Sequence, residues 1–170
     1  MYPPNTRLLI TDNAICIICV NKWDTDKDGE LSYTEAAKVT GVSTYFKSNN
    51  ITSFDEFKYF TRVTSIEQNA FSLCSSLTSI TIPESVTSIG SGAFSNCSKL
   101  TAINIPEGVT VIKDQAFAGC DNLASIIIPK AKASIWEKAF QGCSSLASVS
   151  MPNVTSIGNY AFNGCTSLAS

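Results

Sequence analysis

The sequence predicts an α+β fold: a β-rich solenoid with coils about 23 residues long over residues 63–170, closed at one end by a small helical module over residues 1–62. Three observations lead there. Phenylalanine recurs at Phe71, Phe94, Phe117, Phe140 and Phe162, a period of 23 residues that shortens once to 22. Cysteine keeps the same phase at Cys74, Cys97, Cys120, Cys143 and Cys165, and leucine at Leu77, Leu100, Leu123, Leu146 and Leu168. A unit this short cannot bury its own apolar face, so stacked copies must share one core. Upstream of the copies, the stretch DTDKDGELSYTE at 24–35 sets carboxylates at alternating positions around one glycine.

The helical module comes first in the chain. Cys16, Cys19, Val20 and Trp23 fall on one helical face. Asp24, Asp26 and Asp28 then occupy positions 1, 3 and 5 of a twelve-residue frame, with Gly29 at position 6 and Glu35 at position 12. This is the spacing of an EF-hand calcium loop: a hard cation takes about six to eight oxygens, and glycine permits the bend. Glu30 would give its backbone carbonyl, Ser32 a water-mediated contact and Glu35 both carboxylate oxygens, while Leu31 would point inward. Ala36, Val39 and Val42 predict an exiting helix that Gly41 ends.

Residues 50–61, NITSFDEFKYFT, read as the strand and exiting helix of a second hand, with Ser53 and Glu56 as a capping box. Neither frame available to it, ending at Asp55 or at Glu56, places ligands at the first three positions, so it reads as a structural remnant whose Ile51 pairs with Leu31. Phe46, Phe54, Phe57 and Phe60 are expected to cover the open end of the first coil.

Within each repeat, Leu-x-x-Ile-x-Ile alternates as a half-buried strand should, and Val-Thr-x-Ile supplies a second extended segment. Ala-Phe-x-x-Cys reads as a turn or single helical turn between them. Proline at 83, 106, 129 and 152 ends the pairing. Five cysteines at one internal phase read as buried free thiols rather than a disulfide framework, and the C-x-x-C at Cys16 and Cys19 as core packing rather than a metal or redox motif.

Composition narrows the function. A net charge of -2 and a pI near 5.1 give no basic surface for nucleic acid. Charged residues are 15% of the chain, against roughly 25% in soluble domains, so Ser, Thr, Asn and Gly must cover much of the surface. No apolar run approaches the ~20 residues of a membrane span, and the first residues lack the pattern of a signal peptide. The chain has no histidine, which excludes an imidazole-based triad. The carboxylates of the repeats fall at scattered phases, unlike the facing pair of a glycosidase.

The phased pattern IP-x-x-VT-x-IG-x-x-AF-x-x-C-x-x-L resembles the BspA-like subclass of leucine-rich repeats over about residues 63–170. Lys132 and Ala133 depart from it in the fourth unit, and the fifth stops at Ser170 before its strand is complete. The resemblance implies a right-handed leucine-rich repeat solenoid in a secreted or cell-surface protein. It further implies a noncatalytic recognition or adhesion module that binds protein or glycan on host or neighbouring cells. The alternatives are a calcium-responsive regulatory protein and a noncatalytic part of a carbohydrate-active enzyme.

By the same resemblance, residues flanking the strand isoleucines face a concave binding surface: Ser79 and Thr81, Ala102 and Asn104, Ser125 and Ile127, Ser148 and Ser150. A second interaction spot is expected on the opposite side at Trp136, Lys138 and Tyr160, with Lys130 and Lys132 adding charge. Ca2+ is the expected cofactor, and self-association through the C-terminal coil edge is expected where no strand covers it.

Overall fold

The coils carry two kinds of extended segment, and these do not contribute equally. The computed structural model describes residues 6–128 and 133–169. In chain order its elements are α1 (Asn13–Trp23), α2 (Tyr33–Ala36), β1 (Ser53–Phe54), a 3-10 turn (Asp55–Tyr59), β2 (Ser65–Ile66), β3 (Ser79–Ile80), β4 (Ser88–Ile89), β5 (Val111–Ile112), β6 (Ser125–Ile127), β7 (Ala133–Ile135), β8 (Ser148–Ser150) and β9 (Val154–Ile157). The Val-Thr-x-Ile segments form one five-stranded parallel sheet in the order β2-β4-β5-β7-β9. The Leu-x-x-Ile-x-Ile segments and their counterpart at Ser53–Phe54 give only the separate pairs β1-β3 and β6-β8, with an isolated bridge between Thr81 and Asn104 extending from β3 to the next coil.

Hydrogen bonding accounts for the difference. On the continuous sheet, Thr87 and Thr110 donate their amides to the preceding coil's threonine carbonyls at 2.8 and 3.0 Å. Their hydroxyls reach the same carbonyls at 3.2 and 3.4 Å. On the other face the corresponding bonds from Thr101 to Thr78 and from Ala124 to Thr101 lengthen to 3.4 and 3.3 Å. The single irregularity of the continuous sheet lies between β7 and β9, at the repeat that is one residue short.

The core is a set of ladders. Phe71, Phe94, Phe117, Phe140 and Phe162 stack with centroids 5.2, 5.3, 5.2 and 5.2 Å apart and planes within 6°. The cysteines do more than fill space. Each thiol donates to a phenylalanine carbonyl of the preceding coil: Cys97 to Phe71 at 3.1 Å, Cys120 to Phe94 at 3.2 Å and Cys143 to Phe117 at 3.1 Å. All seven cysteines are free. Burial pushes the Cys74 thiol up to about 11 and Cys143 up to about 12, so these groups stay protonated at neutral pH.

The Ala-Phe-x-x-Cys segment is a turn, not a helix. It is bracketed in every coil by two residues of positive φ, such as Asn69 and Leu73, Gln115 and Gly119, Lys138 and Gly142. Glycine takes the second position at Gly119, Gly142 and Gly164 and the first only at Gly92, so the remaining positions carry side chains in a conformation that L residues avoid.

The N-terminal region departs from the expected hand pair. Asp12 caps α1 by accepting from Ala14 and Ile15 at 2.9 and 3.2 Å. The exiting helix stops at Ala36, four residues long, because the next amides bond three residues back, Lys38 to Glu35 and Val39 to Ala36. Leu31 pairs with Leu8, whose amide reaches its carbonyl at 2.7 Å, and not with Ile51. The capping box lies at Ser32 and Glu35 rather than at Ser53 and Glu56. Glu56 instead faces Thr11.

Residues 42–62 stack as a further coil in place of a second hand. Phe46 continues the aromatic ladder, 5.2 Å from Phe71 at 9°. Cys74 donates to its carbonyl at 3.0 Å, and β1 pairs in parallel with β3. Phe54, Phe57 and Phe60 pack against one another, Phe54 and Phe57 also against Phe71, and Trp23 closes over Phe60 at 5.4 Å, so the aromatic cover expected at this end is present.

Candidate functional site

The turn at 24–35 follows directly from Trp23, whose ring packs on Phe60 and Phe46, so the first carboxylate stands at the rim of the closed end. Asp24, Asp26 and Asp28 each present a carboxylate oxygen within 4.8 Å of the others. Backbone amides hold them there. Asp24 accepts from Lys27 at 2.7 Å and Gly29 at 2.9 Å, Asp26 from Asp28 at 3.3 Å, and Asp28 from Glu30 at 2.9 Å. Gly29 has φ +86, which a side chain would strain although nothing lies near its open side. Desolvation, joined by the charges of Asp28, Glu35 and Asp24, raises the Asp26 carboxyl above its ordinary value against the pull of the Asp28 amide.

Glu35 is held differently. One oxygen accepts from the Thr25 amide at 2.6 Å and its hydroxyl at 2.9 Å, the other from the Ser32 amide at 2.9 Å and its hydroxyl at 3.0 Å. Desolvation works to raise this carboxyl, but the four donors together outweigh it and hold it down at about 2. Position 12 of the frame is thereby tied to positions 2 and 9, which closes the turn on itself. Ser32 serves as the helix cap, and the Glu30 carboxylate pairs with Arg7 at 2.8 Å. The donors are all hard oxygens, with no nitrogen or sulfur among them, a set that fits Ca2+.

Two further carboxylates join the cap to the coils. Asp12 accepts from the Thr52 amide at 2.7 Å and hydroxyl at 2.8 Å. Desolvation opposes its ionisation, yet the donors from Thr52, Ile15 and Ala14 prevail and its carboxyl is lowered. Glu67 receives the Val42 amide at 3.1 and 3.2 Å, packed so closely under Gly41 that a Cβ there would meet the carboxylate. The sequence alone left Glu67 among the scattered acids.

The expected ligand face is partly gathered into one place. Ser79, Thr81 and Asn104 line a depression of about 350 Å³ together with Ala102, Ser125 and Ile127, over a floor of Ile80, Ile103 and Ile126. Ser148 and Ser150 lie one coil further on, exposed on β8 and outside it. Asp55 stands at the other end, with the Thr81 hydroxyl 3.2 Å from its carboxylate. Sequence reasoning missed Asp55, which could have been found only by aligning Phe54 with the strand isoleucines. Trp136 and Tyr160 are 43% and 64% exposed, each with a lysine over its ring, Lys113 at 5.8 Å and Lys138 at 6.0 Å. Lys138 also pairs with Glu137 at 2.8 Å. Lys130 and Lys132 lie outside the described residues.

Among the described residues no helix is long and apolar enough to cross a membrane. Residues 42–169 match the BspA type leucine rich repeat region in six copies. A leucine rich repeat protein of T. pallidum is similar in structure, with TM-score 0.62 and 39% identity over 63% of this chain and 50% of that one. A leucine rich cell surface protein of Faecalibacterium prausnitzii A2-165 gives TM-score 0.61 and 42% identity over 63% of this chain and 28% of that one. The matches thus span half or less of those proteins' own length. No curated protein matches the chain. A family match over three quarters of the sequence, beginning at the coil of Val42 and Phe46, means that the chain belongs to the BspA type leucine-rich repeat family.

Proposed function

We propose that this chain is a noncatalytic recognition or adhesion module of a secreted or cell-surface protein, with a structural Ca2+ in the turn at 24–35. The observation that carries the recognition reading is the depression formed by Ser79, Thr81 and Asn104, a shallow face of small, nearly uncharged side chains on a scaffold with an apolar interior. A rigid repeat array of this kind offers area for contact rather than converging acids and bases. The F. prausnitzii relative, described as a cell surface protein, supports the location.

Calcium is supported by the donor set and spacing of Asp24, Asp26 and Asp28. Glu35 would exchange its bonds to Thr25 and Ser32 for the ion. Trp136, Lys138 and Tyr160 supply a second contact surface, and the exposed β9 edge a route to self-association.

Arrays of extracellular-matrix proteins and of glycans, probed with the purified chain in calcium and in chelator, test the recognition reading. Saturable capture of one partner class is expected, and no capture in either condition contradicts it. Titration calorimetry tests the ion separately. Calcium binding in the micromolar to millimolar range is expected, lost in Asp24→Ala, and heat that is the same in that variant contradicts it.

A further inference from the structure

One column of side chains runs along the stack through the depression. Asp55, Thr81, Asn104 and Ile127 each follow the buried residue of their strand, so one member comes from each of four successive coils. The column begins with a carboxylate, continues with a hydroxyl and an amide, and ends with an isoleucine that is 68% exposed. The floor beneath is apolar: Ile80, Ile103 and Ile126 are 4%, 8% and 2% exposed. This is also where the interstrand bonds stretch to 3.3 and 3.4 Å, so the coils part slightly over the depression.

Chemistry and length together select an occupant. Asp55 is the one charged residue of the lining, so the complement at that end is a cation. Ile127, at the far end, takes an aliphatic group. Between them, Asn104 offers both a donor and an acceptor, which is what a peptide unit crossing the strands needs. No aromatic side chain lines the depression, so a sugar ring finds no face to stack on. Three coil steps of ~4.8 Å separate the two ends by about 14 Å, which an extended chain at ~3.4 Å per residue covers in about four residues.

We propose that this groove binds an extended peptide lying along the stack, with a lysine or arginine at Asp55 and an aliphatic side chain four residues away on Ile127. The assignment rests on the recognition-module reading and names its partner class.

The test is an amide-resolved NMR titration of the whole chain with acetyl-Lys-Thr-Thr-Thr-Leu-amide, compared with the peptide carrying Glu in place of Lys. Expected are shifts confined to Asp55 and to residues 79–81, 102–104 and 125–127. Asp55→Asn should weaken the apparent affinity about two- to fivefold, as loss of one exposed ion pair does, and Ile127→Ser should abolish preference for the leucine. Equal binding of the Glu peptide, shifts elsewhere only, no shifts at several millimolar peptide, or a neutral oligosaccharide occupying the same amides would each overturn it. A partner captured equally on the arrays by wild type and Ile127→Ser would remove the groove assignment and leave the recognition module standing.

Discussion

In the repeats, Phe94 lies between Phe71 and Phe117 at 5.2 and 5.3 Å, and the same arrangement recurs coil after coil; in the cap and at its joint with the coils, Asp12, Glu35 and Glu67 each make contacts particular to their own site. The repeats are held by apolar stacking and thiol-to-carbonyl bonds at constant spacing, so stability there is a sum of like terms between neighbours. The cap has two short helices, one closed turn and a few carboxylates set against amides. Carboxylates carry several of its contacts, whereas the ladders of the repeats are uncharged. The difference teaches where the proposed ion would act: at the end held by single contacts that the repeats do not copy.

The largest effect should come from the ladder. Phe94→Ala removes a ring packed on both faces and fully buried, and should cost about 3–5 kcal/mol in chemical denaturation. The loss should fall on coils on either side, leaving cap amides protected; a loss confined to one coil would break the nearest-neighbour picture.

Asp12→Ala should cost less, about 1–2 kcal/mol, since it removes the α1 cap and the tie to Thr52 together. Exchange should quicken in residues 12–23 and around Thr52 while the phenylalanine ladder stays protected.

Acid and base should separate the two regions further. Glu35 is lowered from 4.5 to about 2, so its contribution is complete above about pH 4.5 and is lost as pH falls through about 2. Asp12, also lowered, acts in the same direction. The thiols are raised from 9.0, to about 11 for Cys74 and about 12 for Cys143, so their contribution is complete below pH 9 and declines as pH rises through those values. Cap signals should therefore loosen first in acid and ladder signals first in base, followed by near-ultraviolet dichroism of Trp23 and by thiol accessibility. Simultaneous loss at both extremes would show that the regions are one unit.

What the sequence made legible follows the same division. Phe71 through Phe162 could be read because a shared core forces one phase on every coil. The coil of Phe46 escaped because its pairing to the next coil spans 26 residues instead of 23, Asn49 stands where the others have cysteine, and Phe54 replaces the strand isoleucine. Which extended segment would form the continuous sheet was hidden too, since both alternate and both carry threonines whose hydroxyls reach the preceding coil; the lengthened amide bonds at Thr101 and Ala124 distinguish them only once the coils are stacked. The frame of Asp24, Asp26 and Asp28 was legible because its spacing is local. The hold of Thr25 and Ser32 on Glu35 was not, although Ser32 and Glu35 have the spacing of a capping box. Glu67 and Asp55 gain their roles only from neighbours 25 or more residues away.

Hydrogen exchange by mass spectrometry, with calcium and with chelator, tests the central claim most directly: that a charge-dependent cap, tightened by an ion, closes an array that stands without it. Calcium should slow exchange over residues 12–41, most at 24–35, and leave the coils from Phe94 to Phe140 unchanged, while Asp24→Ala should erase the difference. Exchange that is identical in calcium and chelator, or that slows equally through every coil, would contradict it.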